Sequence, residues 1–138
     1  MGGIVVDASV AAAWFLPDEA TPFTEAAVLA TAKTEVWVPA LWPLEIGNLL
    51  LSAQRRKRID DAKRIELAAA AAGLQVRVDR VPVSISDLDA LAARHRLTSY
   101  DAAYLELALR RGLPLATLDK GLLAAMRAAH VPVAEFSA

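Results

Sequence analysis

Two short apolar runs each end on an aspartate: Gly3-Ile4-Val5-Val6 runs into Asp7, and Leu113-Pro114-Leu115-Ala116-Thr117-Leu118 runs into Asp119. A continuous apolar run of this length is the pattern of a strand covered on both faces, as in a parallel sheet enclosed by helices. Glu35-Val36-Trp37-Val38-Pro39 is another such run, and Leu74 to Val83 contains a strand. Val131-Pro132-Val133-Ala134 reads as a final strand at an edge, because proline cannot donate to a ladder. Helical segments lie between. They run from Val10 to about Leu16 behind the cap Ser9, from Pro22 to about Thr31 behind Thr21, and from Leu41 to about Arg58. Further helices run from Asp60 and Asp61 to about Ala72 with Gly73 as its C′ residue, a left-handed stop, from Ser86-Asp87 to about Arg96, from Tyr100 to a stop at Gly112, and from Lys120 to about Ala129. The alternation predicts an α/β fold, a mostly parallel central sheet of about five strands with helices on both faces. Ligands of such sheets bind outside the carboxyl ends of the strands, near the switch point, which is where both aspartates fall.

The 138 residues, 56% of them hydrophobic, are enough for one domain over residues 1–138 with a sizeable core. There is no cysteine, so disulfides, thiolate metal ligands and a cysteine nucleophile are excluded; His95 and His130 lack a helical metal-ligand spacing. No apolar run approaches the roughly 20 residues of a membrane span, and the first residues have neither a basic nor an apolar leader region, so a cytoplasmic location is expected. Lys and Arg number 15 against 16 Asp and Glu, a net charge of -1, which lacks the basic balance of a protein held mainly by phosphate contacts. A nucleic-acid ligand would need a local basic face, or metal ions that reverse the sign of the site.

Leu97-Thr98-Ser99-Tyr100-Asp101-Ala102-Ala103-Tyr104 puts an acid at the head of an apolar helix, with Thr98 and Ser99 as cap types and the positive end of the macrodipole favouring the carboxylate. Glu45 stands among Leu44, Ile46 and Leu49, near a buried stripe, where a carboxylate is costly unless paired, hydrogen-bonded or metal-bound. One parallel sheet can gather Asp7, Glu45, Asp101 and Asp119 at one edge. Like charges that close raise one another's pKa, and a hard divalent cation offsets the repulsion. Oxygen donors without histidine or cysteine favour Mg²⁺ or Mn²⁺ over zinc, and the implied chemistry is phosphodiester hydrolysis by a metal-activated water. Each acid also has a plainer role open to it: Asp7 and Asp119 as helix caps, Asp101 as a structural acid at a helix start, Glu45 as the partner of a buried arginine. Ser9 and Thr117 read as caps or as donors to the acids; no histidine base supports a nucleophile. Arg55, Arg56, Lys57 and Arg58 suit the negative end of their helix, and they, or Arg110 and Arg111, are candidates to guide an RNA backbone. Trp14, Trp37 and Trp42 read as core or interface anchors.

Ile4-Val5-Val6-Asp7-Ala8-Ser9, Pro43-Leu44-Glu45-Ile46-Gly47-Asn48, Tyr100-Asp101-Ala102-Ala103-Tyr104 and Leu115-Ala116-Thr117-Leu118-Asp119 resemble, in order and over the whole chain, the motifs of PIN-domain ribonucleases, and among them the VapC-type toxins of bacterial and archaeal toxin–antitoxin pairs. The resemblance implies a compact PIN-like α/β sandwich and Mg²⁺ or Mn²⁺ held chiefly by Asp7 and Asp101. Glu45 and Asp119 then complete the pocket directly or through water, and Ser9 or Thr117 position a water. It further implies endoribonuclease activity, a homodimer, a VapB-type antitoxin whose tail occludes the site, and contact with operator DNA only through that antitoxin. Three rivals remain open: a partner-binding module with vestigial catalysis, a PIN nuclease that is not a toxin, and a small phosphotransfer domain, which leaves Glu45 and Asp101 unexplained.

Overall fold

A computed structural model of the protein describes residues 2–136. Its sheet contains β1 (Gly3–Val6), β2 (Glu35–Pro39), β3 (Val76–Asp79) and β4 (Leu115–Ala116), all parallel, in the order β3-β2-β1-β4. The register sets Ile4 against Val36 on one side of β1 and Val5 against Leu115 on the other. The chain steps outward from β1 to β2 to β3, then returns to lay β4 on the far side of β1. The strand order therefore reverses between β1 and β4, and a crevice opens beyond their carboxyl ends. All four residues of β1 are buried, as the apolar run predicts for a strand covered on both faces.

Among the described residues seven α-helices connect or flank these strands: α1 (Ala8–Phe15), α2 (Pro22–Ala30), α3 (Trp42–Arg55), α4 (Asp61–Ala72), α5 (Ile85–His95), α6 (Ser99–Arg111) and α7 (Lys120–Ala129), with a short 3-10 turn at Pro17–Glu19. Helix α6 packs on β1, β2 and β4 and against α5 and α7; Tyr104, Leu105 and Leu107 lie in its buried stripe. These meet Val5, Val6, Val10, Val36, Val38, Leu50, Leu115, Leu122 and Met126 in one hydrophobic cluster.

Local capping follows the sequence closely. Thr21 forms a capping box with Thr24 ahead of Pro22, Asp60 and Thr98 cap α4 and α6, and Gly112 ends α6 in the left-handed region at φ 65°. Five expectations need correction. The strand foreseen at residues 131–134 is reduced to a single bridge between Leu115 and Val133, so the sheet has four strands; Pro132 supplies only its carbonyl, to the Leu115 N–H at 3.0 Å. Helix α3 stops at Arg55, short of Arg58, because Lys57 turns the backbone to φ 62°. Gly73 keeps helical dihedrals, φ -86°, instead of a left-handed stop. Ser9 lies inside α1 and does not cap it, and the cap of α5 is Ser84.

The last turn of α6 is tied to the end of β3. Buried Asp79 accepts from Arg110 at 3.0 Å, from Arg111 at 2.8 Å and from the Val81 N–H at 3.1 Å, while the Arg111 guanidinium stacks 3.5 Å over the Trp37 ring. The Arg110 bond, aided by those of Arg111 and Val81 and opposed by burial, holds the Asp79 carboxyl down at about 2. A carboxyl lowered on folding stabilises the native state fully above its unfolded pKa of about 4, and that stability is lost as pH falls through the folded value. The contribution is roughly 2 kcal/mol. Asp79→Asn is therefore expected to lower stability in urea titrations near neutral pH by at least that amount and to flatten the loss of stability between about pH 4 and 2.

Candidate metal-binding acid site

Asp7 is the first residue beyond β1, and its backbone N–H donates to the Ala116 carbonyl of β4 at 3.0 Å, which sews it into the switch point. It takes the N-cap position of α1, where its carbonyl accepts from the Val10 N–H at 3.1 Å, yet its side chain does not cap. The carboxylate, in a residue only 4% exposed, instead accepts from the Ser9 hydroxyl at 2.8 Å and the Thr117 hydroxyl at 2.7 Å, both on Oδ2. Those hydroxyls are aimed by the loop after β4: Ser9 Oγ accepts from the Leu118 N–H at 3.1 Å, and Thr117 Oγ1 accepts from the Asp119 N–H at 3.0 Å. Ser9 and Thr117 thus both donate to the acid and bind Asp7 to the segment carrying Asp119.

Asp119 does cap α7, its Oδ2 accepting from the Leu122 N–H at 2.7 Å, so the plainer role foreseen for it is real. Asp101 sits half-buried in the first turn of α6. Burial first, then the carboxylates of Asp7 and Asp119, push its pKa up. Glu45, in the first turn of α3, accepts from the Tyr104 hydroxyl at 2.6 Å. Burial raises its pKa, the Tyr104 bond pulls it down, and Asp7 and Asp101 raise it again. Asp7 and Asp101 thus act on Glu45, and Asp7 and Asp119 on Asp101, and among the described residues none of the four forms an ion pair with lysine or arginine. This disposes of the buried arginine as partner for Glu45. Among the described residues no three of these acids close on each other as a ready-made cage. An ion that keeps its own waters and uses one or two carboxylates, as Mg²⁺ does, fits that openness and the all-oxygen donor set; an ion needing a complete protein shell does not.

The basic candidates divide. Arg110 pairs with Asp79 and Glu106, Arg111 with Asp79, and Arg58 with Asp18 at 2.7 Å and Glu19 at 2.9 Å, so three of the six cations are compensated within the fold. Arg55, Arg56 and Lys57 are exposed. The tryptophans behave as anchors: Trp42 is buried, Trp14 donates to the Thr24 carbonyl at 2.9 Å, and Trp37 carries Arg111. Tyr104 is the residue whose role the sequence did not disclose. A buried tyrosine hydroxyl needs a partner and so does a buried glutamate, but the two are 59 residues apart and only the packing of α6 against the start of α3 joins them.

A family model described as PIN domain matches residues 4–128. The chain is 35% identical over 121 residues to Ribonuclease VapC3 of Pyrobaculum aerophilum, spanning 86% of this chain and 91% of that one. Among solved structures it superposes on the crystal structure of PAE2754 from the same organism with a TM-score of 0.69 and 27% identity, over 90% of this chain and 84% of that one. The four-stranded parallel sheet, with its acids at the switch point, is that of a PIN domain, and this chain belongs to the PIN-domain family. Within the family its resemblance is to a VapC ribonuclease.

Because the Tyr104 hydroxyl stabilises ionised Glu45, its removal has a defined sign. Tyr104→Phe is expected to raise the Glu45 pKa further, read by carbon-detected NMR titration of the glutamate carboxyls, with Asp79 unmoved as internal control.

Proposed function

We propose that the protein is a Mg²⁺- or Mn²⁺-dependent endoribonuclease acting as the toxin of a type II toxin–antitoxin pair. The observation that carries this reading is the placement of Asp7, Glu45, Asp101 and Asp119 around the sheet's switch point, where Asp7 acts on both Glu45 and Asp101 and Asp119 acts on Asp101, with hydroxyls and amides as partners and, among the described residues, no lysine or arginine paired with them. The likeness to a protein named Ribonuclease VapC3 supports the choice of RNA.

Asp7 and Asp101 would hold the ion, with Asp119 assisting through its uncapped oxygen. When bound, the ion supplies Lewis acidity toward a phosphate oxygen and eases deprotonation of water. The chain's own side chains do the positioning. Ser9 and Thr117 fix Asp7 in one rotamer, and Tyr104 fixes Glu45, whose raised pKa suits a carboxylate that receives the proton of the attacking water. Arg55, Arg56 and Lys57, at and just beyond the far end of α3, whose first turn carries Glu45, guide the RNA backbone. A cytoplasmic homodimer, a VapB-type antitoxin that covers the acids, and operator DNA bound through that antitoxin complete the proposal; among the described residues no helix is long and apolar enough to cross a membrane.

Asp7→Asn and Asp101→Asn are each expected to reduce Mn²⁺-dependent cleavage of RNA by on the order of 100-fold while the circular-dichroism melt stays cooperative. Folded variants of both that cut at the parental rate would overturn the assignment. Replacing Arg55, Arg56 and Lys57 together by glutamine is expected to lower the slope of log affinity against log salt for single-stranded RNA by roughly 2.

A further inference from the structure

Beside the acids lies a hollow of about 540 Å³ lined by Leu41, Leu44, Glu45, Asn48, Leu49 and Tyr100. Its lining is mainly apolar and open to solvent: Tyr100 is 63% exposed and Leu44 72% exposed. Tyr100 makes none of the side-chain hydrogen bonds among the described residues, in contrast to buried Tyr104 one turn further along α6. An exposed aromatic ring whose hydroxyl is unengaged does little for the core, and exposed apolar side chains grouped around it mark a surface that binds something. Two features say what. Glu45 belongs both to the hollow and to the acid site, so whatever fills the hollow is continuous with the substrate of that site. Asn48 stands in the apolar wall one turn beyond Leu44, with an amide that both donates and accepts, the complement of a nucleobase edge.

We infer that this hollow is a nucleobase subsite: an unpaired base next to the scissile phosphate stacks on Tyr100 against Leu44 and presents its edge to Asn48. The inference rests on the ribonuclease reading and deepens it, making the preferred substrate single-stranded RNA with a base free to leave its stack. A ring on α6 adjacent to Asp101 would also fix the distance between the recognised base and the phosphate to be cut.

The test uses the full chain with unstructured RNA oligomers carrying 2-aminopurine, or an abasic sugar, at successive positions. Parent protein is expected to quench 2-aminopurine at one position near the cut site. Tyr100→Ala is expected to abolish that quenching and weaken kcat/KM about tenfold or more through KM, with Tyr100→Phe restoring both. An abasic sugar at that position should erase the difference between parent and Tyr100→Ala, and Asn48→Ala should change which base is preferred there. If the parent cuts RNA and Tyr100→Ala cuts it with unchanged KM, the subsite is overturned and the nuclease reading stands. If Tyr100→Ala or Leu44→Ser alters the sedimentation of the protein while leaving base-dependent quenching intact, the surface belongs to a second copy of the chain and the subsite is likewise overturned. If folded parent neither binds nor cuts RNA with Mn²⁺ present, the nuclease reading falls and takes the subsite with it.

Discussion

A carboxylate sealed at a parallel-sheet switch point with only hydroxyl donors is the interaction on which the rest of the molecule depends. Asp7 accepts from Ser9 and Thr117 and has no cation among the described residues, although a buried charge ordinarily needs one. Two hydroxyls lighten that cost but supply no opposite charge. Asp101 and Glu45 register the charge of Asp7, each raised chiefly by burial and further by Asp7. A neighbouring lysine would have satisfied Asp7 at less cost, but it would also have cancelled the field on which the proposed divalent ion relies.

The fold serves that carboxylate from three directions. β4 holds the Asp7 backbone and sends Thr117 back to its side chain; α6 brings Asp101 at one end and Tyr104 one turn later; α3 offers Glu45 to the Tyr104 hydroxyl. Because these elements are far apart in the chain, the site exists only while the core is packed. The contrast with the opposite end of α6 is instructive. There Asp79 is fully compensated by Arg110 and Arg111, its carboxyl is driven down to about 2, and the result is an anchor with no spare charge to offer a ligand.

The two tyrosines of α6 show how position sorts one residue type into different work. Tyr104, fully buried, spends its hydroxyl on Glu45, and burial pushes its own pKa up. Tyr100, four residues earlier, keeps its ring in solvent beside Leu44 and Asn48. The same helix thus presents an internal strut for the acids and an external platform next to them. Separation by a little more than one turn puts both within reach of α3 without letting either replace the other.

Much was legible from local pattern. The apolar runs at Ile4-Val5-Val6 and Leu115-Ala116, the caps Thr21, Asp60 and Thr98, and the left-handed Gly112 all follow from hydrophobic period and capping chemistry, which act within a few residues. Four acids at element edges, with their surrounding motifs, were enough to recognise the family. What the chain alone did not reveal depends on partners distant in sequence. A cation reads the same whether or not an acid waits for it, so Arg58, Arg110 and Arg111 could not be told from free charges until Asp18, Glu19 and Asp79 were seen beside them. Likewise Ser9 could be a helix cap or a donor to an acid until Thr117, just after β4, was seen to share Asp7 with it, and the fate of residues 131–134 turned on how far Pro132 could pair with Leu115. Sequence determined which elements form and where the acids stand along them; tertiary structure decided which charges are compensated and which are left open, because compensation is a matter of distance in space and local pattern carries none.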